Sequence, residues 1–336
     1  MKGRLTRFGI VAVTILLFSV VLFPIGAQKR YTIGVTIGLF EHPVLQAMMK
    51  AFKEVAAQEN VDLIMVDGRN DAGLQVSQVK SFIARKVDGI IMNAAFPDPM
   101  LPIIKEVNKS GIPIMLVDRK IYKKGQDVTW KGLVFWDIDA SGSMLGGQTV
   151  AALKGHGNVV VVEGDPATSV YASRCDPFYR ILKEFPGINV IYKAPGMWRR
   201  DKGLEITQDF LAKFPKGQID AVVYHADEML LGGLEAIKAA GRLGEFKIIG
   251  SDGDPAAMAA LRAGEVYAEC VFHPAEQAVG VALMARFLKG QSLDDPVYYH
   301  GKLIERVSHE GLPWWRPAPV WVDASNMKDP ELQSSW

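Results

Sequence analysis

The sequence predicts an α/β protein of two doubly wound parallel-sheet lobes joined by a three-strand hinge. Three observations carry this. From residue 31 onward short β-rich runs alternate with segments of helical period, the signature of βαβ units and a parallel sheet. After Trp136 the same pattern restarts. A further helix and strand follow Phe272, material that the second unit does not need and the first one lacks.

The elements follow in order. In the first unit the strands are expected at 31–38, 61–67, 87–93 and 112–117. Between them, Asp71 opens a helix over 74–85, and Ser110-Gly111 closes one over 99–109. The second unit has strands at 158–163, 188–193, 221–225, 246–251 and 266–272. A helix over 274–289 and a strand over 301–307 remain. Four strands are few for a lobe, so the tail is expected to cross back and complete the first unit. Lobe one is therefore assigned residues 31–136 plus 273–302, and lobe two 137–272 plus 303–310. The hinge is expected near Trp136, Phe272 and Lys302. Residues 311–336 form a Pro/Trp-rich extension, too proline-rich for a helix and too aromatic for a solvated tail, expected to pack along a lobe or the hinge.

The first residues bear on compartment. Lys2, Arg4 and Arg7 precede an uncharged stretch from Phe8 to Gln28, and Ile25-Gly26-Ala27 supplies small residues near a cleavage point. This reads as a signal peptide over 1–27 and predicts a periplasmic protein, secreted across the inner membrane. An uncleaved anchor is the alternative, because about 20 apolar residues span a bilayer. Pro24 and Gly26 favour cleavage, since they break a helix where a peptidase needs an extended chain.

Composition excludes several classes. With 38 Lys and Arg against 37 Asp and Glu in 336 residues, the chain lacks the basic surplus that nucleic-acid binding requires. Two cysteines, Cys175 and Cys270, make neither a disulfide framework nor a Cys-rich zinc site and are expected as buried thiols. The first strand leads into Gly38-Leu-Phe-Glu-His-Pro43, with no phosphate-cradling glycine pattern. The six histidines are scattered without metal-ligand spacing, and nothing resembles a nucleophile elbow. No cofactor, no metal and no enzymatic activity are expected.

Ligands of open parallel sheets bind beyond the carboxyl ends of the strands. Those positions hold Leu39-Phe40-Glu41-His42, Asn93 and Asp118-Arg119 in the first unit. In the second they hold 169–174, which includes Arg174, then Trp198, His225-Ala226-Asp227-Glu228, Asp252-Gly253-Asp254 and Phe272-His273. Ionised Asp accepts two hydroxyl hydrogen bonds and Arg offers a rigid fork of donors, so adjacent hydroxyls suit both. Aromatic faces pack against the C–H face of a pyranose or polyol. Asp118 and Asp252 balance Arg119 and Arg174, which suits a neutral ligand. Asp227 and Glu228 are read instead as capping and first-turn acids of a helix over 229–240.

At these residues a resemblance becomes specific. Ile112-Pro-Ile-Met-Leu-Val-Asp118-Arg119, Asp227-Glu228-Met229 with Leu231-Gly232-Gly233, and Ile248-Ile-Gly-Ser-Asp252-Gly253 resemble the periplasmic ribose-binding protein family, the substrate-binding components of ABC sugar importers. The similarity runs from about residue 31 to 307. It implies the type I periplasmic binding protein fold and hydroxyl-binding roles for Asn93, Asp118, Arg119, Arg174 and Asp252. It also implies a stacking role for Trp198 and a permease partner in the membrane. His42, Val44 and Leu45 occupy the loop that holds an amide and two phenylalanines in ribose binders. Ala226 replaces the usual Asn, and Phe272 stands where a Gln is common. These departures predict a sugar, polyol or sugar derivative other than ribose. The protein is expected to act as a monomer. A sugar-responsive transcription factor would need a helix-turn-helix where the signal peptide stands. A periplasmic sensor presenting its ligand to a membrane receptor is the alternative reading.

Overall fold

The computed structural model describes residues 29–121, 125–299, 301–309 and 311–329. The expected signal peptide lies outside the described residues, as do residues 330–336 of the extension. Both sheets belong to one unit that begins at Tyr31.

The first half runs β1 (Tyr31–Ile37), α1 (Pro43–Gln58), β2 (Val61–Asp67), α2 (Ala72–Ala84), β3 (Gly89–Met92), α3 (Leu101–Ser110), β4 (Ile114–Val117) and β5 (Gly132–Val134). The second runs α4 (Ile138–Ala152), β6 (Gly157–Glu163), α5 (Ser169–Lys183), β7 (Ile188–Pro195), α6 (Arg200–Lys213), β8 (Ala221–Tyr224), α7 (Asp227–Ala239), β9 (Lys247–Asp252), α8 (Pro255–Arg262) and β10 (Ala268–Val271). The tail contributes α9 (Val279–Leu288), β11 (Val297–Tyr299), β12 (Lys302–His309), β13 (Leu312–Arg316) and β14 (Val320–Asp323). The local signals act as expected. Asp71 accepts from the Leu74 amide at 2.9 Å to start α2, and Gly111, at φ 77°, ends α3 in the left-handed conformation.

One sheet has the order β11-β12-β13-β5-β4-β3-β1-β2 and the other β14-β10-β9-β8-β6-β7. Their parallel cores, β2-β1-β3-β4-β5 and β7-β6-β8-β9-β10, repeat one doubly wound topology. Its switch points lie between β1 and β3 and between β6 and β8, where crevices open at the strand ends. The four-residue strands β3, β4, β8 and β10 are buried at every position. Continuous apolar runs are what strands covered by helices on both faces require. Full burial of each large apolar side chain there contributes roughly 1.5–3 kcal/mol.

The tail differs from the sequence expectation. Residues 303–310 were assigned to lobe two, but β12 pairs antiparallel with β13, and β13 adds in parallel to β5 of the first sheet. Trp314 and Trp315 of β13 are buried in its two cores. The third connection between the sheets is therefore not near Lys302. It is Pro317-Ala318-Pro319, between β13 and β14, and β14 closes the edge of the second sheet against β10. Pro313 disguised β13, because a proline argues against a central strand. The three connections pack side by side. Phe135 and Asp137 donate their amides to Trp315 O (3.1 Å) and Pro317 O (2.9 Å), Arg316 pairs with Asp137 at 3.0 Å, and the Trp136 and Phe272 rings lie 5.3 Å apart. Cys175 and Cys270 are free and buried.

Candidate ligand-binding cleft

A narrow cleft of about 50 Å³ lies between the lobes, and His42, Asp118, Arg119, Arg174, Trp198 and Asp252 all line it. Lobe one brings His42 from the loop after β1, and Asp118 and Arg119 from the end of β4. Lobe two brings Arg174 on the first turns of α5, Trp198 after β7 and Asp252 at the end of β9. The lobes also touch directly, since the Lys120 amide donates to Ser169 Oγ at 3.2 Å.

Asp118 is the centre of the lobe-one wall. Its Oδ2 accepts from Asn93 Nδ2 and from Arg119 Nη1, both at 2.6 Å. Burial raises the Asp118 carboxyl, and Arg119, the Asn93 hydrogen bond and Arg174 oppose that rise. In lobe two, Arg174 donates to His225 O, and its Nη2 stands 3.5 Å from Asp252 Oδ1. The guanidinium also lies over the rings of Phe272 (5.4 Å) and Trp198 (5.8 Å). Burial raises the Asp252 carboxyl, against the pull of Arg174. Three nitrogens at the cleft, His42 Nδ1, Arg119 Nε and Arg174 Nε, are buried without a partner. Such groups are costly unless something accepts or donates there.

The backbone is unusual at the same positions. Asp118 (φ 60°), Trp198 (φ 58°) and Asp252 (φ 135°) all have positive φ, and strained residues cluster at ligand clamps. Trp198 lies so close over Gly164 that a Cβ there would fall 1.7 Å from the indole. Only glycine lets the ring take this position. Trp198 Nε1 donates to Thr168 Oγ1 at 3.3 Å, which fixes its edge.

Two of the eight sequence-selected residues stand behind the cleft rather than on its wall. Asn93 is buried, with Oδ1 accepting from the Gly38 amide at 2.8 Å, and reaches the cleft through Asp118. Phe272 is buried at the hinge between Trp136 and Arg174. The expected capping role of Asp227 does not hold. The N-cap of α7 is Ala226, and Asp227 Oδ2 instead accepts from the amides of Gly253 (2.8 Å) and Asp254 (2.6 Å), beside Asp252. Glu228 pairs with Arg200 at 3.0 Å. The lining residues that sequence reasoning did not select are apolar: Trp136, Ile138, Val170 and Ala226, which join Val44 and Leu45.

His42 predicts a pH effect. Burial, with a smaller contribution from Arg119, lowers its pKa to about 4, so the imidazole is neutral at pH 7. Between about pH 4 and the ordinary histidine value near 6.5, the unfolded chain binds the proton and the folded one does not. Stability from this group is therefore full above about pH 6.5 and lost as pH falls towards 4. His42→Gln should gain melting temperature relative to the parent as pH drops through that window. A difference independent of pH would show that His42 titrates normally.

The chain matches a family model described as a periplasmic binding protein domain over residues 33–292. It belongs to that family, whose members are solute-binding transport proteins rather than enzymes and which implies an extracytoplasmic location. Among its relatives is the ribose import binding protein RbsB of Bacillus subtilis, 28% identical over 84% of this chain and 86% of the relative. Another is a xylitol-binding protein of Mycolicibacterium smegmatis, 30% identical over 72% and 68%. An ABC transporter solute-binding protein of Bacillus halodurans, solved with bound myo-inositol, superposes with a TM-score of 0.79 at 26% identity, covering 93% of this chain and 100% of that one. The type I periplasmic binding protein fold and the family resemblance read from the motifs agree with these findings.

Proposed function

We propose that the protein captures a neutral monosaccharide, sugar alcohol or related derivative between its lobes and delivers it unaltered to an ABC transporter permease. The observation that carries this reading is the cleft's charge pattern: two aspartates, each held against an arginine, face one space from opposite lobes. Such pairs give acceptors and donors for adjacent hydroxyls. The ribose, xylitol and myo-inositol named for the relatives fit the same chemistry. Along one side, Val44, Trp136, Ile138, Val170 and Trp198 belong to a continuous apolar cluster, which suits a ligand with a C–H-rich edge. The protein acts as a monomer in the periplasm, after removal of the signal peptide near Gln28.

A thermal-shift screen of the protein from Gln28 tests this, with ribose, xylitol, myo-inositol and galactofuranose set against glucuronate and galacturonate. A ligand present at a hundred times its Kd stabilises the native state by about 2.7 kcal/mol, so a neutral member should raise the melting temperature by several degrees. Shifts with the acids alone would overturn the reading.

A further inference from the structure

Glu269 lies on β10 with none of its surface exposed, in register with Gly250 of β9. A Cβ at Gly250 would fall 2.2 Å from Glu269 Oε1, so the missing side chain makes the room for this carboxyl. Its hydrogen-bonding neighbour is Asp227, 1% exposed at the start of α7. Asp227 Oδ2 is already taken by the amides of Gly253 and Asp254. Asp227 Oδ1 and both Glu269 oxygens have no donor of their own. Two ionised carboxylates in contact, dry and without a cation, are strongly unfavourable, whereas one shared proton satisfies both.

We infer that Glu269 is a positioning residue for Asp252: as the neutral acid it donates a hydrogen bond to Asp227 Oδ1, and Asp227, so held, clamps the segment that carries Asp252. Asp252 is the residue immediately before the two clamped amides, and its backbone, at φ 135°, is held in a conformation that L-residues rarely adopt. The clamp supplies the restraint that such a backbone needs.

The surrounding groups favour the proton on Glu269. Those facing the pair are Asp252 at the end of β9, Asp254 on the segment after it, and Cys270 on β10. All are acids or a thiol. The nearby guanidinium, Arg174, is engaged by His225 O and Asp252. Burial, then the Asp227 charge, holds the Glu269 carboxyl well above the usual carboxylate range, while Asp227 is relieved by the hydrogen bonds it accepts.

The test uses ligand-free protein, so it stands apart from the cleft reading, on which only the consequence for binding rests. Infrared spectroscopy at neutral pH should show a carboxylic-acid C=O band that Glu269→Gln removes. Glutamine can still donate to Asp227, so in that variant the Gly253 and Asp254 amides should keep their slow hydrogen exchange. Glu269→Leu leaves Asp227 Oδ1 bare and should speed exchange at those two amides by about tenfold, the worth of one hydrogen bond of this kind, beyond any change at distant amides. A spectrum unchanged by Glu269→Gln would overturn the inference without requiring the leucine variant to fold. Equal exchange in the leucine variant and the parent would also overturn it.

Discussion

Arg174→Met should destabilise the protein by about 3–5 kcal/mol, the cost of breaking a buried ion pair by removing one partner, and should abolish high-affinity ligand binding with it. The Arg174 side chain is 3% exposed, and it joins His225 O, Asp252 and the faces of Trp198 and Phe272. Methionine replaces the apolar stem but none of the donors. The His225 carbonyl is then left unpaired, and Asp252, whose carboxyl burial already pushes up to about 8, loses the guanidinium that opposes that rise and the donor that orients it in the cleft. Urea unfolding of parent and variant measures the stability term. A difference within about 0.5 kcal/mol, as for a surface substitution, would show that Arg174 organises nothing.

Asp118→Ala should weaken binding by about 10- to 150-fold, since a hydrogen bond to a charged group is worth roughly 1.5–3 kcal/mol. Asn93 and Arg119 aim this carboxylate, and the alanine takes away the acceptor of Asn93 Nδ2 and leaves Arg119 Nη1 only the backbone carbonyl of residue 118, at 3.0 Å. A second effect comes from the backbone. At φ 60° Asp118 sits in the left-handed region, which Asn and Asp tolerate and Ala resists by roughly 1–2 kcal/mol. Asp118→Asn should therefore lose affinity while keeping stability, and Asp118→Ala should lose both. Calorimetry showing less than a threefold loss of affinity in both variants would remove Asp118 from the site.

Apart from β5, the strands of both parallel cores were legible because each is a short β-rich run bounded by turn residues, with helical segments between them. What escaped notice had weak or contrary local signals. β5 is three residues long, too short to display a period, and β13 carries Pro313, so the chain's third crossing was placed at Lys302 instead of 317–319. The polar cleft residues were legible because they follow strand ends, where a charge has few structural uses. Trp136, Ile138 and Val170 were not, because an apolar residue opening a helix reads as core until the opposite lobe is in place. Asn93 and Asp118 look alike in sequence, both polar after a strand. Which of them faces the ligand depends on a hydrogen bond across 25 residues. The clamp of Asp227 on the Gly253 and Asp254 amides likewise spans elements that no local pattern connects.

The most direct test of sugar capture between the lobes is a crystal structure of the protein from Gln28 with the neutral sugar or polyol that most raises its melting temperature. The account predicts an intact ligand whose hydroxyls are bonded to Asp118 and Arg119 from one lobe and to Arg174 and Asp252 from the other, with an apolar edge against Trp198. A ligand bound outside this cleft, held by one lobe alone, or converted to another compound would contradict it.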